Sequence, residues 1–248
     1  MSLSGEALLV ALETGEARAA QRASDGRWIP DADVKEGILD LFRSGEVVDQ
    51  GRLAFIAFRD KDTVPARQDL GNVRIVPGGT SVRRGAHVGA GVVLMPPCYI
   101  NVGAFVGAGA MIDSHALVGS CAQVGERVHV GAAAQIGGVL EPVGARPVVV
   151  EDDAFIGGNV GLYEGVIVRS RAVIAPGTIL SKGTRVFDLT EERELPGLDI
   201  PEGAIVVPGT RPASGLGGVN GLSVACALVV KYRDAKTDAA TALESALR

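Results

Sequence analysis

Aromatic residues make up only 4% of this 248-residue sequence, so its interior must be filled by Val, Ile, Leu and Ala. Cysteine is scarcer still, at three residues. Cys98, Cys121 and Cys226 are odd in number and none stands in a C-x-x-C pair, which leaves no thiolate metal or redox motif and no disulfide framework. All three read as packed, reduced thiols. No run of about 18 apolar residues occurs, which argues against a membrane span. The opening MSLSGEALLVALETGE has neither a basic n-region nor a small-residue cleavage site, so a cytoplasmic location is expected. The net charge is -5, and no basic stripe with interleaved aromatics appears. The phosphate-neutralising footprint of a nucleic-acid binder is missing, and small-molecule partners are expected instead.

What the chain does have is 47% hydrophobic residues alongside 34 glycines, the composition of a repeat. An aliphatic residue recurs at every sixth position: Val82, Val88, Leu94, Ile100, Val106, Ile112, Val118, Val124, Val130 and Ile136. The spacing slips by two across Glu141 to Pro147, where a short loop is expected. It resumes at Val150, Ile156, Leu162, Val168, Ile174, Leu180 and Val186. Helices repeat at three and four residues and strands at two, so neither explains a period of six. A parallel β-helix does, with each hexapeptide forming one face of a triangular prism and its leading aliphatic pointing inward. Glycines after the aliphatic, as in Val88-Gly89, Val106-Gly107 and Val118-Gly119, suit tight corners. Gly-x-Gly strings such as Gly107-Ala108-Gly109 are then repeat corners and not phosphate loops.

The flanks divide the chain into an N-terminal α/β domain over 1–72, the prism over 73–208 and a C-terminal cap over 209–248. Gly5 to Thr14 and Asp31 to Phe42 read as helices, the second opened by Pro30-Asp31 and closed near Ser44-Gly45. After a charged loop from Asp188 to Glu194 and a Gly-rich segment, Leu222 to Tyr232 reads as a buried strand. Asp238 to Leu247 reads as a helix. These would close the open end of the solenoid.

A filled prism has no interior pocket, so a site is expected in clefts between prisms, and a closed homotrimer supplies three of them. Asp113 stands where a corner glycine or alanine is usual; it either bonds its own backbone or serves a ligand. Glu164, before a turn glycine, reads as a solvated corner carboxylate or a second acid. Counting coils puts the two about 14 Å apart in height, too far to share a proton. His129 is assigned one coil above Asp113 but on a different face, and His87 and His115 to other turns, so no His-rich metal cluster is expected. Arg74 either snorkels outward or clamps an anion. Lys182, Arg185, Arg211, Lys231 and Lys236 gather positive charge toward the C-terminus, suited to the phosphates of a nucleotide-containing donor.

Three strings are more specific than the hexapeptide: Met111-Ile112-Asp113, Gly119-Ser120-Cys121-Ala122-Gln123 and Gly137-Gly138-Val139-Leu140-Glu141-Pro142. With Cys226 to Lys231 and Asp234 to Thr237, they closely resemble the tetrahydrodipicolinate N-succinyltransferase family from about Val73 onward. The resemblance implies a left-handed β-helix, the exception to the usual right-handed crossover. It also implies succinyl transfer from succinyl-CoA, a co-substrate and not a resident cofactor, to the amino group of hydrated, ring-opened tetrahydrodipicolinate on the way to diaminopimelate and lysine. Arg74 and Asp113 would bind this dicarboxylate amine acceptor with Ser114 beside them, and Asp113 would orient or deprotonate the amine. Glu164 is this chain's own candidate for a second catalytic carboxylate, apart from the resemblance. No metal is implied. The sequence departs from the family at Asn159-Val160-Gly161, where an Arg-Ser-Glu string with a catalytic glutamate is usual and where related N-acetyltransferases carry Asn. It departs again at Ser114-His115, where Thr-Trp is usual, and in a shorter N-terminal region. Another acyl-CoA or another amino acid-like amine is the alternative these departures favour. A silent scaffold or a carbonic anhydrase-like metalloenzyme using His87, His115 and His129 is the remote one.

Overall fold

A hexapeptide contributes two extended residues and a four-residue corner, so each strand is short and its stability comes from stacking on its neighbours. The computed structural model describes residues 3–53 and 56–234. Its centre is a three-faced parallel β-helix. Face I stacks Arg74–Ile75, Val93–Leu94, Met111–Ile112, His129–Val130, Phe155–Ile156 and Val173–Ile174. Face II stacks Ser81–Val82, Tyr99–Ile100, Leu117–Val118, Gln135–Ile136, Gly161–Leu162 and Ile179–Leu180. Face III stacks His87–Val88, Phe105–Val106, Gln123–Val124, Val149–Val150, Ile167–Val168 and Asp199–Ile200. The second residue of each pair from Val82 to Leu180 is the hexapeptide aliphatic, and all of these are buried in one continuous core. Each contributes about 1.5–3 kcal/mol by leaving water.

The corners revise the reading of the glycines. The left-handed backbone position is the third residue after the aliphatic, occupied by Gly109 (φ 68°), His115 (φ 64°) and Cys121 (φ 66°) in successive corners. The glycine directly after the aliphatic answers a different need. A Cβ on Gly119 would stand 2.2 Å from the backbone nitrogen of Gly138 in the next coil, and one on Gly107 would stand 2.6 Å from that of Glu126. Close approach of stacked coils demands glycine there, not a positive φ.

Three insertions interrupt the eighteen-residue coil, the first a single residue between Arg74 and Val93. Gln123 pairs with Val149, 26 residues on, so the loop before Pro147 adds eight residues to one coil and replaces the hexapeptide that a slip of two would have kept. Val186, expected as the next hexapeptide, leaves the stack of rungs instead, although its side chain stays buried in the same core. Val186–Asp188 pairs with Ala227 to Val229, and Asp199–Ile200 takes the vacant rung on face III, 32 residues after Ile167. The long strand Ala204–Pro212 continues face I and pairs antiparallel with Ser223–Tyr232, with the short helix Gly215–Val219 at the tip. In Ser223–Tyr232, expected as a buried strand, only Cys226, Ala227 and Val229 are buried, because the tip projects past the prism. The helix expected at Asp238 to Leu247 lies outside the described residues.

The N-terminal helices α1 (Gly5–Thr14) and α2 (Ala32–Ser44) lie against the corner between faces II and III. Asp31 caps α2 by accepting from the Val34 amide. Leu8, Leu9, Leu12 and Ile38 share a buried cluster with Val102 and Cys121 of the prism. The fully buried Lys35 of α2 donates through Nζ to the Ala145 carbonyl in the inserted loop, 2.5 Å away. No helix among the described residues is long and apolar enough to cross a membrane.

The C-terminal arm is tied down by Asp188, which is 1% exposed. Burial raises its pKa, but hydrogen bonds from the Tyr232 hydroxyl at 2.7 Å and from the Thr190 amide and hydroxyl outweigh it, holding the carboxyl below its usual range. A lowered folded-state pKa stabilises fully above the unfolded value of about 4 and is lost as pH falls through the folded value. Denaturant midpoints measured from pH 7 down to pH 2 are therefore expected to fall less steeply in Asp188→Asn than in the wild type, starting from a lower midpoint at pH 7.

Candidate active site

In a parallel stack, residues eighteen apart present their side chains one above another. The outward residues of face I consequently form a column of Arg74, Val93, Met111, His129 and Phe155. Arg74 and Met111 are two rungs apart, about 10 Å. Asp113 stands at the corner that closes the Met111–Ile112 strand, so the guanidinium and the carboxylate project from neighbouring parts of one face. Arg74 is exposed and Asp113 partly buried. Ser114 is held in the same corner, its carbonyl accepting from the Ala133 amide of the next coil at 2.9 Å.

His129 is on this face and not on another. It pairs with Met111, one coil earlier, and its Nε2 lies 2.9 Å from Asp113 Oδ2. The phenyl ring of Phe155, one rung further, packs on the imidazole with centroids 5.0 Å apart. The signal was present in the sequence, since 111 and 129 differ by one whole coil, but the comparison has to be made with Met111, the strand residue, and not with Asp113, the corner residue. Among the described residues no three His, Cys, Asp or Glu side chains gather in a metal-binding group.

A 2,3,4,5-tetrahydropyridine-2,6-dicarboxylate N-succinyltransferase from Nitrobacter winogradskyi is 43% identical, aligned over 96% of this chain and 86% of that protein. The chain belongs to the tetrahydrodipicolinate N-succinyltransferase family. It is therefore an acyltransferase. The protein of the same name from Bordetella avium is 42% identical over 96% of this chain and 86% of its own length. A family model described as the hexapeptide repeat of succinyl-transferase matches residues 71–96 and 147–182. The fold is shared with a Campylobacter jejuni chain named as a 2,3,4,5-tetrahydropyridine-2-carboxylate N-succinyltransferase, at a TM-score of 0.56 and 20% identity. That likeness covers 92% of this chain and 63% of the longer one.

Other residues of this N-succinyltransferase family member are dispersed. Glu164 occupies a left-handed corner (φ 54°) between faces II and III, two rungs and one face beyond Asp113, which is less than the three rungs expected from counting coils, and its Oε2 accepts from the Lys182 amide at 2.8 Å. Within one chain the two carboxylates do not meet. Of the cationic set, Lys182 follows the last strand of face II, and Arg185 forms an ion pair with Glu194. Arg211 and Lys231 sit at opposite ends of the C-terminal arm, opposite Val224 and Ile205, about 20 Å apart along the strands. Lys236 lies outside the described residues.

Sequence reasoning also missed a cleft of about 280 Å³ between face III and the N-terminal hairpin Ala20–Arg22 and Trp28–Pro30. There Arg18 stacks 3.6 Å from the Phe105 ring centroid and donates to Gln123 Oε1. Glu151, 6% exposed, accepts from the Trp28 indole at 2.8 Å and from Arg169 at 3.0 Å, clamping the hairpin to the prism.

Gly161 is the clearest departure from the family pattern, and its surroundings explain the glycine. A Cβ there would stand 2.6 Å from Tyr163 Cε2 and 3.0 Å from its hydroxyl, because the Tyr163 ring folds back across face II. Gly161→Ala is expected to cost about 1–3 kcal/mol through overpacking. In a Tyr163→Ala background the same change should cost clearly less, with only the Ile179 Cδ1 contact at 2.9 Å left to give way; equal costs in a denaturation double-mutant cycle would rule the explanation out.

Proposed function

We propose that this chain transfers the succinyl group of succinyl-CoA to the amino group of hydrated, ring-opened tetrahydrodipicolinate, in the cytoplasm, on the route to diaminopimelate and lysine. The observation that carries the reading is the pairing of Arg74 and Asp113 on face I. A guanidinium about two rungs from a carboxylate complements an acceptor that bears a carboxylate at one end and an amine at the other. The name shared by relatives at about 40% identity over nearly the whole chain supports the same acceptor and donor.

The assembly in this reading is a homotrimer of left-handed prisms, with each site in a cleft between neighbours. The chain divides into an N-terminal domain over 1–72, the β-helix over 73–208 and a cap over 209–248. No cofactor is resident; the acyl-CoA comes and goes as co-substrate. Lys182, Arg185, Arg211, Lys231 and Lys236 supply positive charge for the donor's phosphates. Arg74 holds an acceptor carboxylate, Asp113 and Ser114 receive the amine end, and backbone N–H groups lining the cleft stabilise the oxyanion. Glu164 reaches the same substrate only from a neighbouring protomer, so its catalytic share depends on the trimer.

A second reading keeps the fold and chemistry but changes the acyl donor or the amine. Gly161 favours it, since no side chain is present there to act on the substrate. A thiol-release assay with succinyl-CoA and acetyl-CoA, against tetrahydrodipicolinate and its stable analogue 2-aminopimelate, separates the two. Release with succinyl-CoA supports the first reading, release with acetyl-CoA alone supports the second, and none with either donor rejects the acceptor. Asp113→Asn is expected to abolish turnover while leaving CoA binding and oligomeric state intact.

A further inference from the structure

We propose that His129 is the general base of the acyl transfer, with Asp113 as the residue that positions and polarises it. The inference rests on the site assigned under the proposed function and deepens it. A carboxylate can only accept, so the 2.9 Å contact between Asp113 Oδ2 and His129 Nε2 places the imidazole proton on Nε2. That leaves Nδ1 with its lone pair. Among the described residues Nδ1 has no hydrogen-bond partner. The imidazole side chain is 37% exposed against 24% for Asp113, so the basic nitrogen is the more reachable of the two groups. Phe155 packs on the ring from the next rung and limits its rotation.

The column below extends the argument to the substrate. Val93 and Met111 stand between Arg74 and His129 on the outward side of face I. This is an apolar floor about three rungs, or roughly 14 Å, long with a cation at one end and a base at the other. An aliphatic amino acid laid along it with a carboxylate on Arg74 brings its amine toward His129.

The step balances as a thioester aminolysis. The neutral amine nitrogen attacks the thioester carbonyl, forming the C–N bond, and its proton passes to His129 Nδ1. The tetrahedral intermediate collapses with cleavage of the C–S bond, and the imidazolium returns the proton to the departing thiolate, giving amide and free thiol. Asp113 stabilises the imidazolium without taking the proton, the role a carboxylate has beside a catalytic histidine.

Two measurements test this. Long-range 1H–15N correlation spectra of the resting protein should give a single Nε2-protonated tautomer for His129, converting to a mixture in Asp113→Asn. A mixture or the Nδ1-protonated form in the wild type would overturn the dyad, whether or not any substrate turns over. With an acceptor that supports turnover, His129→Gln keeps an amide near the position of Nε2 but has no base. It is expected to lower kcat by about 100-fold or more with KM for succinyl-CoA within about threefold. A glutamine variant with wild-type kcat would return His129 to a packing role. If the wild type releases no thiol at all, the substrate reading fails and the spectra still decide the dyad.

Discussion

Every feature of this protein depends on the hydrogen-bonded stacking of one coil on the next. The amide of Met111 donates to Val128, that of Asp113 to Val130 and that of Leu117 to Ala134, and the same pattern runs the height of the prism. Backbone groups that cannot be left unpaired inside a protein are thereby satisfied by the neighbouring coil and not by a strand partner far along the chain. The register this imposes is eighteen residues. It brings the aliphatic residues into one core and requires glycine where two corners approach most closely, as at Gly119 over Gly138.

The same register builds the site. Because outward residues stack rung on rung with the inward ones, Arg74, Met111 and His129 share a column although 55 residues separate the first from the last. Asp113 joins them because it is a corner residue whose side chain reaches up to the strand above. The carboxylate and imidazole so placed are half-exposed, which suits chemistry better than stability: exposed ion pairs contribute little to folding. The strongest anchors of the fold lie elsewhere, in the buried Glu151 that clamps the N-terminal hairpin and the buried Asp188 that ties the arm.

Departures from the repeat mark where the chain does something other than stack. The eight extra residues before Pro147 carry Ala145, whose carbonyl receives Lys35, so the insertion is a docking point for the N-terminal helices. The excursion after Leu180 produces the arm and moves the strand of Val186 from the stack of rungs to the arm, with Val186 still in the core. At Gly161 the Tyr163 ring takes the space a side chain would need, which makes this face of the chain unlike the family pattern for a steric reason visible only in three dimensions.

The repeat, its inward residues, both N-terminal helices and the family strings around Asp113 and Glu141 were legible in the sequence, because a solenoid is made of local spacings and a spacing can be counted. Asp113 and Arg74 could be singled out as exceptions to a pattern. Their neighbours could not, because the pairing of Asp113 with His129 joins a corner to a strand on the next coil, and its geometry depends on how far one side chain leans. The length of the loop before Val149, the exit of Val186 and the isolation of Glu164 by the Lys182 amide were likewise decided by tertiary structure. A period determines which residues stack; only the folded backbone determines which side chains touch.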